Sequence, residues 1–185
     1  MEQPEFTTLT PEAFEQEVRF YLQTLGASLK SSEVRHRETL SAHDGAYEID
    51  VTARFSALGG DFLVLIECKH HGRRIGREDV QVLHDRMLSL GAQKGMLFSA
   101  SRFQRGAIEF AQAHRIALVQ MVDGKTTYFT KGLGSRPDPP PWANIGRYAG
   151  WLVSLTENGG EHQSLVSRDC LKYLREFLVE RSPGS

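Results

Sequence analysis

The sequence predicts an α/β fold in which a central mixed β-sheet carries helices on its faces. Three observations lead there. Residues 47–69 hold two successive strand patterns separated by Gly59-Gly60-Asp61, and this reads as a hairpin. Beyond it, helical periodicity at Glu78–Leu90 and Phe103–His114 alternates with short apolar runs at Gly95–Phe98 and Ile116–Val122. A strand, helix, strand, helix, strand succession makes parallel strands joined by right-handed crossovers, so hairpin and crossovers together give a mixed sheet.

The elements follow in order. Thr10-Pro11-Glu12 supplies an N-cap, a first-turn proline and an early negative charge. Phe14, Val18, Tyr21, Leu22 and Leu25 then share one helical stripe that Gly26 closes, with Glu15 and Glu17 at its two margins. Leu29–Thr39, with Val34 among charged residues, reads as an edge strand. Ser41–Gly45 is a turn carrying His43 and Asp44. In the first hairpin strand Tyr47, Ile49, Val51 and Ala53 fall on one side and Glu48, Asp50 and Thr52 on the other. The second strand, Phe62–Lys69, is an apolar run that suits a strand covered on both sides, yet it ends in Glu67-Cys68-Lys69.

Those last residues concentrate the chemistry. Glu67 and Lys69 emerge on the same face because strand side chains repeat every second residue. Acids and an amine at the end of a buried strand lose several kcal/mol on desolvation unless something compensates them. A divalent metal compensates: Mg²⁺ prefers one or two carboxylates with waters and substrate phosphate completing its shell, and Asp50 with Glu67 fits that demand. A structural ion pair between Glu67 and Lys69 accounts for the triplet equally well.

Downstream, His70–Arg77 carries Arg73, Arg74 and Arg77 and no acid before Glu78. Glycines let such a loop approach a phosphate backbone, and arginine forks match phosphate oxygens, which makes these three the DNA-contact candidates. A solvated surface run is the plain alternative. The pair His70-His71 has no further ligands spaced for zinc. In the next helix Val80, Leu83, Met87 and Leu90 form the buried stripe, Gly91 stops it, and Gln81 flanks it as an accessory candidate or an ordinary surface residue. Asp123-Gly124 is a turn before a short strand at Thr126–Thr130.

Composition divides the chain into residues 1–131, a Pro/Gly-rich linker at 132–141, and an extension at 142–185. The extension reads as aromatic and apolar over Trp142–Leu155 and as a helix from about Gln163 to Glu180. Too short for a core of its own, it is expected to pack on the first domain or on a second subunit as a homodimer. A net charge of −1 excludes a binder driven by global electrostatics, so a nucleic-acid surface has to be local. Two cysteines without ligand spacing imply reduced thiols and a cytoplasmic setting, and no membrane segment or signal peptide is expected.

Asp50, sixteen intervening residues and then Glu67-Cys68-Lys69 resemble the D…(D/E)-x-K signature of restriction-endonuclease-like PD-(D/E)XK nucleases. Phe14-Glu15, Leu25-Gly26, Asp44-Gly45, Lys94–Phe98 and Phe103 with Ala107 and Ala111 extend the resemblance, in the order seen in Mrr-type restriction endonuclease domains. The chain departs by carrying Glu67 where many of those domains carry Gln. The resemblance implies a restriction-endonuclease-like core and a metal-dependent deoxyribonuclease cutting DNA phosphodiester bonds, with a role in defence against foreign DNA. It implies Mg²⁺ or Mn²⁺ held by Asp50, Glu67 and the backbone carbonyl of Cys68, with Glu15 assisting through water, and Lys69 orienting the attacking water. A recognition partner protein is compatible with it. Competing readings are a Holliday-junction resolvase, a non-catalytic nucleic-acid or protein-binding module on the same core, and an assembly protein dominated by its tail.

Overall fold

The computed structural model describes residues 9–26, 32–57, 60–123, 148–167 and 171–179. The strand expected at Thr126–Thr130 and the linker at 132–141 lie outside them. Helix α1 (Pro11–Gly26) precedes strands β1 (Glu33–Ala42), β2 (Gly45–Ala57) and β3 (Gly60–Lys69). There follow α2 (Arg77–Leu90), β4 (Lys94–Ser99), α3 (Arg105–Ala113), β5 (Ile116–Asp123), β6 (Tyr148–Leu155), β7 (Glu161–Val166) and α4 (Lys172–Val179). The seven strands form one sheet in sequence order. Its flanks are antiparallel and its centre, β3-β4-β5, is parallel, so the sheet is mixed as the sequence predicts.

Two apolar layers sandwich the sheet. On one face Phe14, Val18, Tyr21 and Leu22 of α1 and Leu174 and Leu178 of α4 pack on Val51, Ile66, Met96, Phe98 and Val119. On the other, Val80, Leu83 and Met87 of α2 and Ala107, Ile108 and Ala111 of α3 cover Leu65, Leu97 and Leu118. Adjacent β3 residues therefore serve opposite layers, which explains why its apolar run does not alternate. Thr10 caps α1 by accepting the Ala13 N–H at 3.2 Å. Gly91 ends α2 in the left-handed region at φ 66°, where a side chain is disfavoured.

In β6, Gly150 has a different reason to lack a side chain, because an added Cβ would meet Val119 Cγ1 at 2.7 Å. Gly150→Ala is expected to lower unfolding free energy by about 1–3 kcal/mol through overpacking, read as a lower urea midpoint at constant m.

The structure departs from the sequence reading in two places. Tyr47 and Ile49 join the α2/α3 layer while Val51, Ala53 and Phe55 join the α1/α4 layer, so β2 does not keep one face throughout. The change of face coincides with an irregularity opposite, where Arg37 takes a left-handed φ of 49° and the β1/β2 ladder skips the Arg37 and Asp50 positions. Second, the helix expected from about Gln163 is an edge strand to Val166, and α4 begins at Lys172. Ser164 and Val166 point inward at strand spacing, and among the described residues of that segment only Leu174 and Leu178 are buried at helical spacing.

Candidate active site

The irregularity in β2 is where the predicted acids meet. The β2/β3 ladder runs from Ala57–Gly60 to Val51–Ile66 and stops, so Asp50 and Glu67 lie just beyond the last pair. There the Asp50 side chain replaces a strand carbonyl: its Oδ2 accepts the Cys68 backbone N–H at 2.7 Å. Burial, reinforced by the negative charge of Glu15, raises the Asp50 carboxyl above its ordinary value despite that hydrogen bond.

Glu67 is only 4% exposed, unusual for a carboxylate. Its Oε2 lies 3.4 Å from Lys69 Nζ, and its Oε1 is engaged by Arg86 Nη1 from α2. Burial first, and the Asp50 charge second, push its carboxyl upward against the pull of those cations. Each acid is thus costly where it stands. Cys68, between them, has its thiol pushed well above the ordinary range by burial and by the neighbouring acids, so it stays protonated and offers no thiolate.

Glu15 approaches from α1, held by His36 Nε2 at 2.7 Å and Arg37 Nε at 3.0 Å. The left-handed backbone at Arg37 therefore sits between Glu15 and the break at Asp50. The Lys69 end of β3 is stitched to the loop after β4 by the Ala100 N–H to the Lys69 carbonyl at 3.1 Å. Ser101 Oγ bonds the His71 carbonyl, and Ile75 pairs with Phe103. This places the site at the carboxyl ends of the parallel strands, where open α/β sheets bind ligands.

The other candidates are placed as follows. Arg73 forks onto Asp79 at 2.7 and 2.9 Å, and Asp79 in turn accepts the Gly76 N–H at the start of α2. Arg77 lies over the Phe110 ring at 5.0 Å, a cation–π contact. Arg74 is exposed, and Gln81 is exposed on the outer side of α2. Asp44 is taken by Tyr47 and by Ser89, which pins the β1/β2 turn to α2. Glu48 is exposed.

Arg86 and Arg37 were not among the sequence candidates. Arg86 had a signal, since it falls one helical turn after Leu83 at the margin of the buried stripe; Arg37 had none.

Among the described residues no three His, Cys, Asp or Glu side chains converge as a ready-made metal cage. A divalent ion that keeps its waters needs only one or two carboxylates, and the half-buried Asp50 and the buried Glu67, on neighbouring strands and both with raised carboxyls, match that demand.

Three solved structures resemble the chain in part. The protein of unknown function AF1548 is 22% identical with a TM-score of 0.47, over 56% of this chain and 54% of its own. Protein VC1899 from Vibrio cholerae is 22% identical with a TM-score of 0.45, over 58% of this chain and 29% of its own. The DNA modification-dependent restriction endonuclease AspBHI is 16% identical with a TM-score of 0.33, over 64% of this chain and 35% of its own. The chain thus spans about half of AF1548 and about a third of the other two. No curated protein matches it. The restriction endonuclease family model Mrr_cat matches residues 6–126, well over half of the 185, and the chain belongs to that family.

Proposed function

We propose that the chain hydrolyses DNA phosphodiester bonds with the help of a divalent cation, Mg²⁺ or Mn²⁺, held by Asp50 and Glu67. The observation that carries this reading is the meeting of Asp50 and the buried Glu67 just beyond the last β2/β3 pair, with Lys69 Nζ 3.4 Å from Glu67. Asp50, Glu67 and the Cys68 carbonyl are the proposed ligands, with Glu15 reaching the site through a water. The bound ion supplies Lewis acidity and charge neutralisation. Lys69 orients the attacking water and stabilises negative charge on the phosphate as the bond breaks. The Asp50 hydrogen bond to Cys68 and the Ala100 contact to Lys69 hold these groups on rigid strand ends.

DNA is the proposed partner, and Arg74 its phosphate contact. Arg73 and Arg77 already hold Asp79 and Phe110, which makes them supports of the loop and secondary DNA contacts. Arg74→Ala is expected to weaken DNA binding similarly for all sequences and to reduce the salt slope by about one counterion, measured by anisotropy across a salt series.

The cutting domain is read as residues 1–131, followed by a linker at 132–141 and an extension at 142–185 that packs on the core or joins a second subunit in a homodimer; β6, β7 and α4 of that extension lie on the same sheet and core. Action on foreign DNA in the cytoplasm, with or without a recognition partner protein, is part of this proposal and has only the family likeness behind it. Among the described residues no helix is long and apolar enough to cross a membrane.

The test is incubation of the full chain with supercoiled plasmid, linear duplex and a four-way junction in Mg²⁺, Mn²⁺ or EDTA. Metal-dependent cuts in plasmid and linear duplex support the reading. Cutting confined to the junction replaces it with a resolvase, and metal-independent binding without cuts replaces it with a binding module.

A further inference from the structure

We propose that Arg86 is the counter-ion of Glu67 in the metal-free protein and that a divalent cation competes with it for that carboxylate. This rests on the reading of Asp50 and Glu67 as metal ligands. Glu67 has two oxygens and both are engaged, Oε1 by the Arg86 guanidinium and Oε2 by Lys69 Nζ. Asp50 differs: its hydrogen-bond donor is a backbone N–H, and it has no ion pair among the described residues. An arriving cation therefore finds Asp50 open and Glu67 closed.

A guanidinium and a divalent ion compete at one carboxylate oxygen, because both are positive and each weakens the other's hold at that distance. Glu67 is only 4% exposed, so water screens the repulsion between the two cations little and exchange is favoured. Arg86 is free to leave. Its side chain is 28% exposed, it stands on a flexible stem from α2, and it makes no other ion pair among the described residues. Lys69, at the longer separation, keeps the second oxygen while the first changes hands. Metal affinity then includes the work of expelling Arg86, and removing the guanidinium removes that work. Arg86 is thus a positioning residue that sets the metal concentration at which the site fills.

The measurement is Mn²⁺ binding to the full chain without DNA, by calorimetry and by loss of the free-ion electron paramagnetic resonance signal. Arg86→Met is expected to bind about tenfold more tightly than wild type, whereas Arg86→Lys, which keeps a competing cation, stays near wild type. A residue that merely props up α2 would give equal or weaker binding in Arg86→Met, and that result overturns the proposal.

Should Arg86→Met not fold, wild-type protein decides. The Arg86 Nε–Hε nuclear magnetic resonance signal, assigned by its absence in Arg86→Lys, shifts on Mg²⁺ addition if exchange occurs, and a fixed signal overturns it. Glu67→Gln separates the two levels of the account. Metal binding lost in Glu67→Gln but unchanged in Arg86→Met removes the exchange alone, whereas wild type and Glu67→Gln that bind equally remove the metal site as well.

Discussion

Lys69→Met is expected to lower the rate of plasmid cleavage about a thousandfold at saturating Mg²⁺, through loss of a positioned donor and of positive charge at the phosphate. The thermal midpoint is expected to stay within about 2 °C of wild type. Both halves follow from where Lys69 stands. Its ammonium is partly exposed, at 30%, and in EDTA, where no ion competes for Glu67, Arg86 still neutralises the acid when the ammonium is gone. Methionine keeps the apolar stem over the strand end. The loss belongs in kcat with little change in KM for DNA, because the contact strengthens as charge develops on the phosphate. Single-turnover cleavage over a DNA concentration series reads the split. Near-normal turnover would remove Lys69 from the chemistry and leave it as a structural partner of Glu67.

Asp50→Asn is expected to abolish cleavage to below about a thousandth of wild type, since an amide is a poor ligand for a hard cation. In EDTA the same change stabilises the fold. Asparagine retains an acceptor oxygen for the Cys68 N–H and carries no charge, so it escapes the burial and Glu15 repulsion that raise the wild-type carboxyl. The sign follows from proton linkage. A folded-state pKa above the unfolded value means the native protein binds the proton more tightly, so ionising Asp50 with rising pH subtracts stability. The midpoint advantage of Asp50→Asn over wild type should therefore be smallest below the ordinary carboxyl value of 3.8 and grow as pH rises through the raised folded value. Asp50→Ala behaves differently, because it strands the Cys68 N–H without its acceptor at a cost of about 1–3 kcal/mol. Thermal melts of the three proteins in EDTA across a pH series test the pattern; a wild type more stable than Asp50→Asn at neutral pH would contradict it.

Much of the restriction-endonuclease-like α/β core is legible because periodicity reports burial. Glu67 and Lys69 stand out in the sequence since a run covered on both faces has no ordinary use for charge at its end. The stripes of α1 and α2 are equally plain, and Phe14, Val18, Val80 and Leu83 are all buried. What the pattern hides is departure from regularity. The change of face between Ile49 and Val51 lies opposite the left-handed backbone of Arg37, a residue on another strand with no special sequence mark. Arg86 reaches Glu67 across a tertiary contact that local spacing does not encode, while Gln81, its neighbour in the same helix, faces out. At the far edge, β7 mixes Ser164 with Val166 on its inner side, so alternation was too weak to compete with the leucines that follow.

Anomalous scattering from crystals of the full chain soaked in Mn²⁺ tests the central claim most directly. The account predicts a single strong peak at coordination distance, about 2.0–2.3 Å, from oxygens of both Asp50 and Glu67. A protein that cuts DNA in Mn²⁺ while its crystals show the ion elsewhere, with Arg86 still seated on Glu67, would contradict it.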